Sequence, residues 1–133
     1  MARSRIAQVY LTTAVFVLLN NVTGCQIAGP GDGEAELNTL EKRIEDMIGE
    51  APAQSPDACK TIAFGSKPCG GPWRYLVYSS EFTDETELVA LVNRYNQAQD
   101  RLNRENGLFS DCSIAIRPDV TLNDGFCQTS SGR

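Results

Sequence analysis

The sequence predicts an α+β fold, in which a small antiparallel sheet of three to four strands packs against one long helix. Two disulfides hold this body, and a tether and a short amphipathic helix precede it. Three observations lead to this class. One long stretch has the apolar spacing of a helix, shorter stretches are rich in aromatic and β-branched residues, and four cysteines frame both.

The long helix is predicted for residues 85–106. Asp84 precedes it as an N-cap, and Glu87 completes an acidic variant of the capping box. Gly107 follows as a C-terminal cap. The apolar stripe consists of Leu88, Leu91, Val92, Tyr95, Ala98 and Leu102. We expect this stripe to pack across one face of the sheet.

The strands are predicted from short apolar runs between turn-forming residues. Residues 73–78 carry large apolar side chains at both parities, which favours a central strand, and residues 61–64 form a second run. Apolar side chains alternate over residues 112–122. This alternation leaves open one extended edge strand or a hairpin that turns at residues 117–120. Asn123-Asp124-Gly125 is a strong turn signal.

The part before this body predicts a tether and a helix. Residues 26–33 are rich in glycine, which is typical of a flexible tether. Residues 34–48 place their apolar side chains on one helical face, and Gly49 is a C-terminal stop. These side chains are Leu37, Leu40, Ile44, Met47 and Ile48. Two alternatives stay open, a helix packed on its own domain and a stalk or partner-binding helix.

The first residues have the layout of a secretory signal peptide. A basic start at residues 1–5 is followed by a mostly apolar stretch at residues 6–19. This stretch is too short for a membrane-spanning helix, which needs about 20 residues. Its end, Val22-Thr23-Gly24-Cys25, resembles the lipobox of bacterial lipoproteins, in which the cysteine becomes the N-terminus and carries the lipid. We therefore predict lipidation at Cys25; an ordinary signal peptide with a free Cys25 is the other interpretation.

The cysteine count agrees with this resemblance. The chain has five cysteines, and if Cys25 carries a lipid, four remain for two disulfides. The four are Cys59, Cys69, Cys112 and Cys127. Sequential bridging predicts Cys59–Cys69 and Cys112–Cys127, each stabilising the fold by roughly 3 kcal/mol, and the other two connectivities stay open. Disulfides persist in the oxidising compartments that exported proteins reach.

These features divide the chain into three parts. They are a signal peptide (1–24), a lipidated tether with the amphipathic helix (25–58) and a disulfide-stapled α+β domain (59–133).

Composition argues against several classes of function. Loss of Arg3 and Arg5 with the signal would leave 10 basic and 17 acidic residues, a net charge of −7. This charge argues against a nucleic-acid partner and against polybasic docking on lipid. The chain has no histidine, which removes the commonest general base and the usual nucleophile pairs. We expect no enzymatic activity, no catalytic residues, no metal and no cofactor.

The loop at residues 65–73 is the best candidate binding site. Its glycines and prolines flank Cys69, and a cross-linked loop loses little entropy on binding. Lys67 is expected to be an exposed cation, and Trp73 and Arg74 are residue types that often anchor interfaces. The alternative is a structural turn that leads into a core strand, with Trp73 packed under the long helix.

The body also resembles uncharacterised small disulfide-containing bacterial lipoproteins. The motifs that carry this resemblance are Lys67-Pro68-Cys69-Gly70-Gly71-Pro72, Tyr75-Leu76-Val77-Tyr78-Ser79, Tyr95-Asn96 and Ser110-Asp111-Cys112. The resemblance implies a folded module and brings no assigned activity.

We therefore expect a lipid-anchored, exported protein of the bacterial envelope. It would act as a non-enzymatic binding module for an envelope protein or a glycan, in one form as an inhibitor of a foreign hydrolase. The alternative is a structural or assembly accessory that acts through the helix at residues 34–48. The protein would face the periplasm or the cell surface, and Gln26 suggests the outer membrane if the host is Gram-negative, by analogy with enteric sorting.

Overall fold

The computed structural model describes residues 31–130 of the 133-residue chain and confirms the α+β class. The predicted signal peptide and Cys25 lie outside the described residues. The helices are α1 (Asp32–Ile48) and α2 (Glu85–Glu105), and the strands are β1 (Cys59–Phe64), β2 (Arg74–Ser79), β3 (Val120–Asn123) and β4 (Phe126–Thr129).

The strands form two separate two-stranded antiparallel sheets, so the prediction of one sheet with three to four strands is wrong. β1 pairs with β2 along their whole length, from Cys59 opposite Ser79 to Phe64 opposite Arg74. β3 and β4 form a hairpin around Asp124-Gly125, where both residues have positive φ, +50° and +83°. Such angles are typical of a type I′ turn, and the predicted turn is confirmed.

The segment between α2 and β3, where a further strand was predicted, does not form one. Residues 108–119 contain neither the edge strand nor the hairpin that the alternation suggested. No backbone–backbone hydrogen bond joins residues 109–118 to another described residue. Within the segment, Cys112 has φ of +53°, outside the extended region, which interrupts a strand at this point.

β2 was expected to be a central strand, but it pairs on one side only. Its two faces lie against different clusters of apolar side chains, Leu76 against the larger core and Val77 against a smaller one. The apolar residues at both parities therefore reflect burial of both faces of a two-stranded sheet.

The two helices pack against each other in antiparallel orientation. Near the start of α1, a Cβ placed on Gly33 would lie 2.5 Å from Leu102 Cδ2, near the end of α2. Near the end of α1, Arg43 forms an ion pair with Glu87 in the first turn of α2. α1 ends at the predicted Gly49, whose φ is +54°. Of the two alternatives for this helix, the structure shows the one that packs on the domain.

The N-cap of α2 is confirmed. Asp84 Oδ1 accepts hydrogen bonds from the backbone N–H of Thr86 at 2.9 Å and of Glu87 at 3.0 Å. The helix ends at Glu105, and Gly107 follows in the left-handed region with φ of +58°.

Two hydrophobic clusters stabilise the fold. The larger lies between the helices and the first sheet, and its buried members are Leu40, Ile44, Phe64, Tyr78, Leu88, Leu91, Val92 and Tyr95. The smaller lies beside the β3–β4 hairpin and contains Ala51, Ala53, Ala58, Cys59 and Cys127. The segment after α1 reaches this hairpin through backbone bonds from Ala53 N to Gly125 O and from Cys127 N to Ala51 O, both 2.9 Å long.

The disulfides join Cys59 with Cys127 and Cys69 with Cys112, so sequential bridging is wrong. The fold brings β4 close to β1, which places the Cα atoms of the first pair 5.2 Å apart. The second pair links the β1–β2 loop to the segment after α2, with Cα atoms 5.5 Å apart. The two disulfides indicate an oxidising, exported environment.

Candidate functional site

Lys67 is buried, so the expectation of an exposed cation is wrong. Only 5% of the residue is accessible to solvent. Its ammonium donates to the carbonyl oxygen of Ser113 at 2.6 Å and to Ser113 Oγ at 2.9 Å, and Asp111 Oδ1 lies 3.9 Å away. The same nitrogen lies 5.1 Å from the centre of the Trp73 ring. Lys67 therefore fastens the β1–β2 loop to the segment after α2.

Asp111 completes this arrangement from the solvent side. The backbone N–H and the hydroxyl of Ser113 donate to Asp111 Oδ1 at 3.1 and 3.0 Å. These two hydrogen bonds, with a smaller contribution from the charge of Lys67, lower the pKa of Asp111. The carboxylate thus stays ionised near neutral pH and orients the backbone that binds the ammonium.

Polar side chains of α2 fix the first residues of the loop. The bonds run from Gly65 N to Asn96 Oδ1 (2.7 Å), from Ser66 N to Gln99 Oε1 (2.6 Å) and from Asn103 Nδ2 to Ser66 O (2.7 Å). Together with the Cys69–Cys112 disulfide, these three hydrogen bonds hold the loop at Gly65, Ser66 and Cys69. The residues of the loop are therefore presented on a rigid support.

Trp73 is 46% exposed, so it is not packed under α2. It lies on the wall of an open groove of about 350 Å³. We call this the Trp73 groove, and its lining residues are Glu41, Phe64, Gly65, Trp73, Arg74, Tyr95 and Gln99. Two of the three predicted binding residues, Trp73 and Arg74, thus line one concave surface, and Lys67 supports the Trp73 ring.

The groove combines aromatic rings with paired charges. The rings of Phe64 and Tyr95 stack with their centroids 4.2 Å apart, and the Arg74 guanidinium lies 5.1 Å from the centre of the Phe64 ring. Arg74 also forms ion pairs with Glu41 at 2.9 Å and with Glu45 at 3.8 Å. Burial and the nearby Glu41 carboxylate raise the pKa of Tyr95, so its hydroxyl remains a neutral donor. Such a surface suits partner recognition, since Trp, Tyr and Arg dominate binding energies at interfaces.

A second cleft, of about 640 Å³, lies between β1 and the segment that leads to β3. Lys60 Nζ and Tyr78 Oη both bond to Glu85 Oε1, at 3.2 and 2.7 Å. Burial and the bond to Glu85 raise the pKa of Tyr78 to about 12, and the bonds from Tyr78 and Lys60 lower the pKa of Glu85. Arg117 on the opposite wall donates to Thr61 Oγ1 at 2.7 Å. These polar groups satisfy one another, and none forms a nucleophile–base pair.

Sequence reasoning missed an exposed apolar surface. We call residues 108–116 the apolar loop, in which Phe109, Ile114 and Ile116 are 95%, 89% and 87% exposed. The signal in the sequence was the alternation that we interpreted as a strand. Because the loop does not join a sheet, the same alternation leaves isoleucines in solvent.

The apolar stripe of α1 is used within the fold. Leu40 and Ile44 are buried in the larger core, so a partner of α1 would meet its outer, charged face.

Metal-binding clusters and membrane-spanning helices are absent from residues 31–130. No group of His, Cys, Asp or Glu side chains there is arranged to hold a metal ion. Within the same range, no helix has the length and apolar character needed to cross a membrane.

Comparisons with protein-family models, with curated protein sequences and with solved structures find no match to this chain. The fold and the groove define the chain as a disulfide-stabilised α+β protein with a preformed aromatic groove.

Proposed function

We propose that this chain is an exported, lipid-anchored, non-enzymatic binding protein of the bacterial envelope, which holds a protein partner in the Trp73 groove. The observation that carries the proposal is the half-exposed Trp73 on a loop fixed by a disulfide, a buried lysine and side chains of α2.

The lipid anchor is supported by the cysteines. The two disulfides use all four cysteines of the described residues. Cys25 is the fifth cysteine, and neither disulfide needs it. The lipobox resemblance assigns it to the lipid, which agrees with the exported environment that the disulfides indicate.

The binding role is supported by the rigidity of the groove. Immobilising a flexible loop on binding costs about 0.5–1.5 kcal/mol per rotamer-rich side chain. In this protein the loop backbone and Lys67 are ordered before a partner arrives. A protein partner is favoured over a glycan because a tryptophan beside an arginine is the typical composition of a protein–protein hot spot.

The test is cross-linking in native envelope membranes with wild type, Trp73→Ala and Phe82→Ala. Phe82 is an exposed aromatic residue on the turn before α2, outside the groove, so it serves as the matched control. We expect a protein adduct with wild type and with Phe82→Ala. Trp73→Ala should bind the same partner roughly 30-fold more weakly, which corresponds to a hot spot of about 2 kcal/mol. Circular dichroism checks that each variant is folded.

Equal recovery with all three proteins would contradict binding in the Trp73 groove. An adduct made of glycan that depends on Trp73 would replace the protein partner by the glycan alternative.

A further inference from the structure

The start of α1 marks the end of the domain that faces the predicted anchor. Gly33 lies against Leu102, so the first turn of α1 is next to the last turns of α2. Any attachment of the chain before α1 therefore acts at the C-terminal end of α2.

The connection to Cys25 is short. Five residues separate Cys25 from Gly31, the first described residue. A fully extended chain spans at most about 3.3–3.6 Å per residue, so Gly31 lies within about 20 Å of the lipidated position. α2 has 21 residues and is about 30 Å long, which places Phe82, before its first turn, at the far end of the domain.

The apolar loop begins at the anchored end. Leu108 N donates to Asn103 O at 2.9 Å, which keeps the start of the loop on the last turn of α2. Phe109 follows and shares a shallow cavity with Pro68 and Arg104. Ile114 comes directly after Ser113, the residue that binds Lys67. The most exposed large apolar side chain among the described residues, Phe109 at 95%, thus lies at the end of the domain where the described chain begins.

We propose that Phe109 and Ile114 of the apolar loop insert into the surface of the bilayer that holds the lipid on Cys25. This proposal rests on the lipid anchor of the proposed function. The occupant is lipid because the anchor keeps this end of the domain beside the membrane, whatever partner fills the Trp73 groove.

The contact is apolar and not electrostatic. The loop contains one charged residue, Asp111, and the nearby Lys67 is turned inward to Ser113. The loop therefore offers no cation to anionic headgroups. Burial of Phe109 in lipid would raise the equilibrium constant for membrane binding by a factor of roughly ten or more, and burial of Ile114 would do the same. Insertion would add to the single anchoring signal of the acyl chains and would orient the domain.

The experiment places a tryptophan in the loop of the full, membrane-extracted chain. Phe109→Trp and, as control, Phe82→Trp are reconstituted into vesicles of phosphatidylethanolamine and phosphatidylglycerol whose acyl chains carry bromine, which quenches tryptophan in contact with them. Wild type sets the baseline from Trp73. Cys25→Ser, partitioned between vesicles and buffer, tests the anchor separately.

We expect the emission added at position 109 to be quenched and the emission added at position 82 to be unaffected. If the chain partitions into vesicles in a Cys25-dependent manner but neither position is quenched, the loop contact is wrong and the anchor stands. If the tryptophan at position 109 is not quenched by brominated lipid and its emission changes only when a protein partner is captured, insertion into lipid is likewise contradicted. If wild type does not partition into vesicles, the anchor and the loop contact both fall.

Discussion

The two disulfides lie in different surroundings, although the loops that they close have similar predicted entropy contributions. Cys59 and Cys127 are 7% and 6% exposed and belong to the smaller hydrophobic cluster. Cys69 and Cys112 are exposed. We therefore compare the double variants Cys59→Ser/Cys127→Ser and Cys69→Ser/Cys112→Ser, in which the chemical change is identical.

The loop-entropy model predicts that removing either disulfide lowers the free energy of unfolding by a similar amount, because the unfolded chain gains a similar entropy in both variants. For sequence separations of 68 and 43 residues it gives about 4.4 and 4.0 kcal/mol at 25 °C. The difference between the variants arises in the folded state. Serine at positions 59 and 127 puts two hydroxyls into an apolar cluster, at about 1–3 kcal/mol for each that finds no partner. We expect Cys59→Ser/Cys127→Ser to be less stable than the other variant by at least about 2 kcal/mol.

The assay is urea unfolding followed by far-ultraviolet circular dichroism, with the free energy of unfolding extrapolated to water. The midpoint alone is insufficient because removing a cross-link expands the unfolded chain and changes the slope. In a thermal scan the same difference corresponds to about 10 °C in Tm for a domain of this size. The total loss in Cys59→Ser/Cys127→Ser is about 6–10 kcal/mol, so this variant is largely unfolded if the wild-type stability lies near the lower end of the usual range of about 5–15 kcal/mol.

Equal losses in the two variants would refute the argument from burial. A larger loss from Cys69→Ser/Cys112→Ser would go further, because it would make the exposed loop disulfide the main support of the fold.

Two further predictions concern one glycine and one hydrogen bond. Gly65→Ala should destabilise the fold by about 1–3 kcal/mol, because its φ is +84° and the new Cβ would lie 2.8 Å from Trp73 Cδ1. Gly70→Ala is the control, since its φ is +94° and the space around it is open. It carries the backbone strain alone and should lower the free energy of unfolding by less in the same urea assay. Because the pKa of Tyr78 is raised to about 12, its contribution to stability is complete below pH 10 and is lost between pH 10 and 12. Because the pKa of Glu85 is lowered, its contribution is present above the pKa it has in the unfolded chain and is lost as pH falls through the lowered pKa. The ultraviolet absorbance of phenolate should show a late titration from Tyr78 and Tyr95. The part that belongs to Tyr78 should disappear in Tyr78→Phe, and an unchanged titration would contradict the raised pKa of Tyr78.

The features that the sequence predicted well depend on neighbouring residues. The N-cap at Asp84 needs only the two N–H groups that follow it in the first turn. The stop at Gly49 and the turn at Asp124-Gly125 need only glycine or a short polar residue at positive φ. These choices are made within a few residues, so a single sequence is enough to predict them.

The features that the sequence could not predict depend on distant residues. The pairing of Cys59 with Cys127 requires β4 to lie beside β1, which no local pattern encodes. The apolar alternation at Ile114 and Ile116 is the same for a strand and for an exposed loop. The difference is the left-handed φ of Cys112, which goes with its bond to Cys69 in a loop 43 residues earlier.

The burial of Lys67 changes how the candidate site must be probed. A lysine in a loop rich in glycine and proline is usually solvated. Here its burial is compensated by the carbonyl and hydroxyl of Ser113, 46 residues later, with the Asp111 carboxylate and the Trp73 ring nearby. Substituting Lys67 would release the loop that positions Trp73, so a loss of binding would follow whether or not the cation touches a partner. Trp73 is half-exposed and fixes no other residue by a hydrogen bond through its side chain, so its removal reports on recognition itself. The groove is therefore tested at Trp73, whereas Lys67 tests the support on which the groove depends.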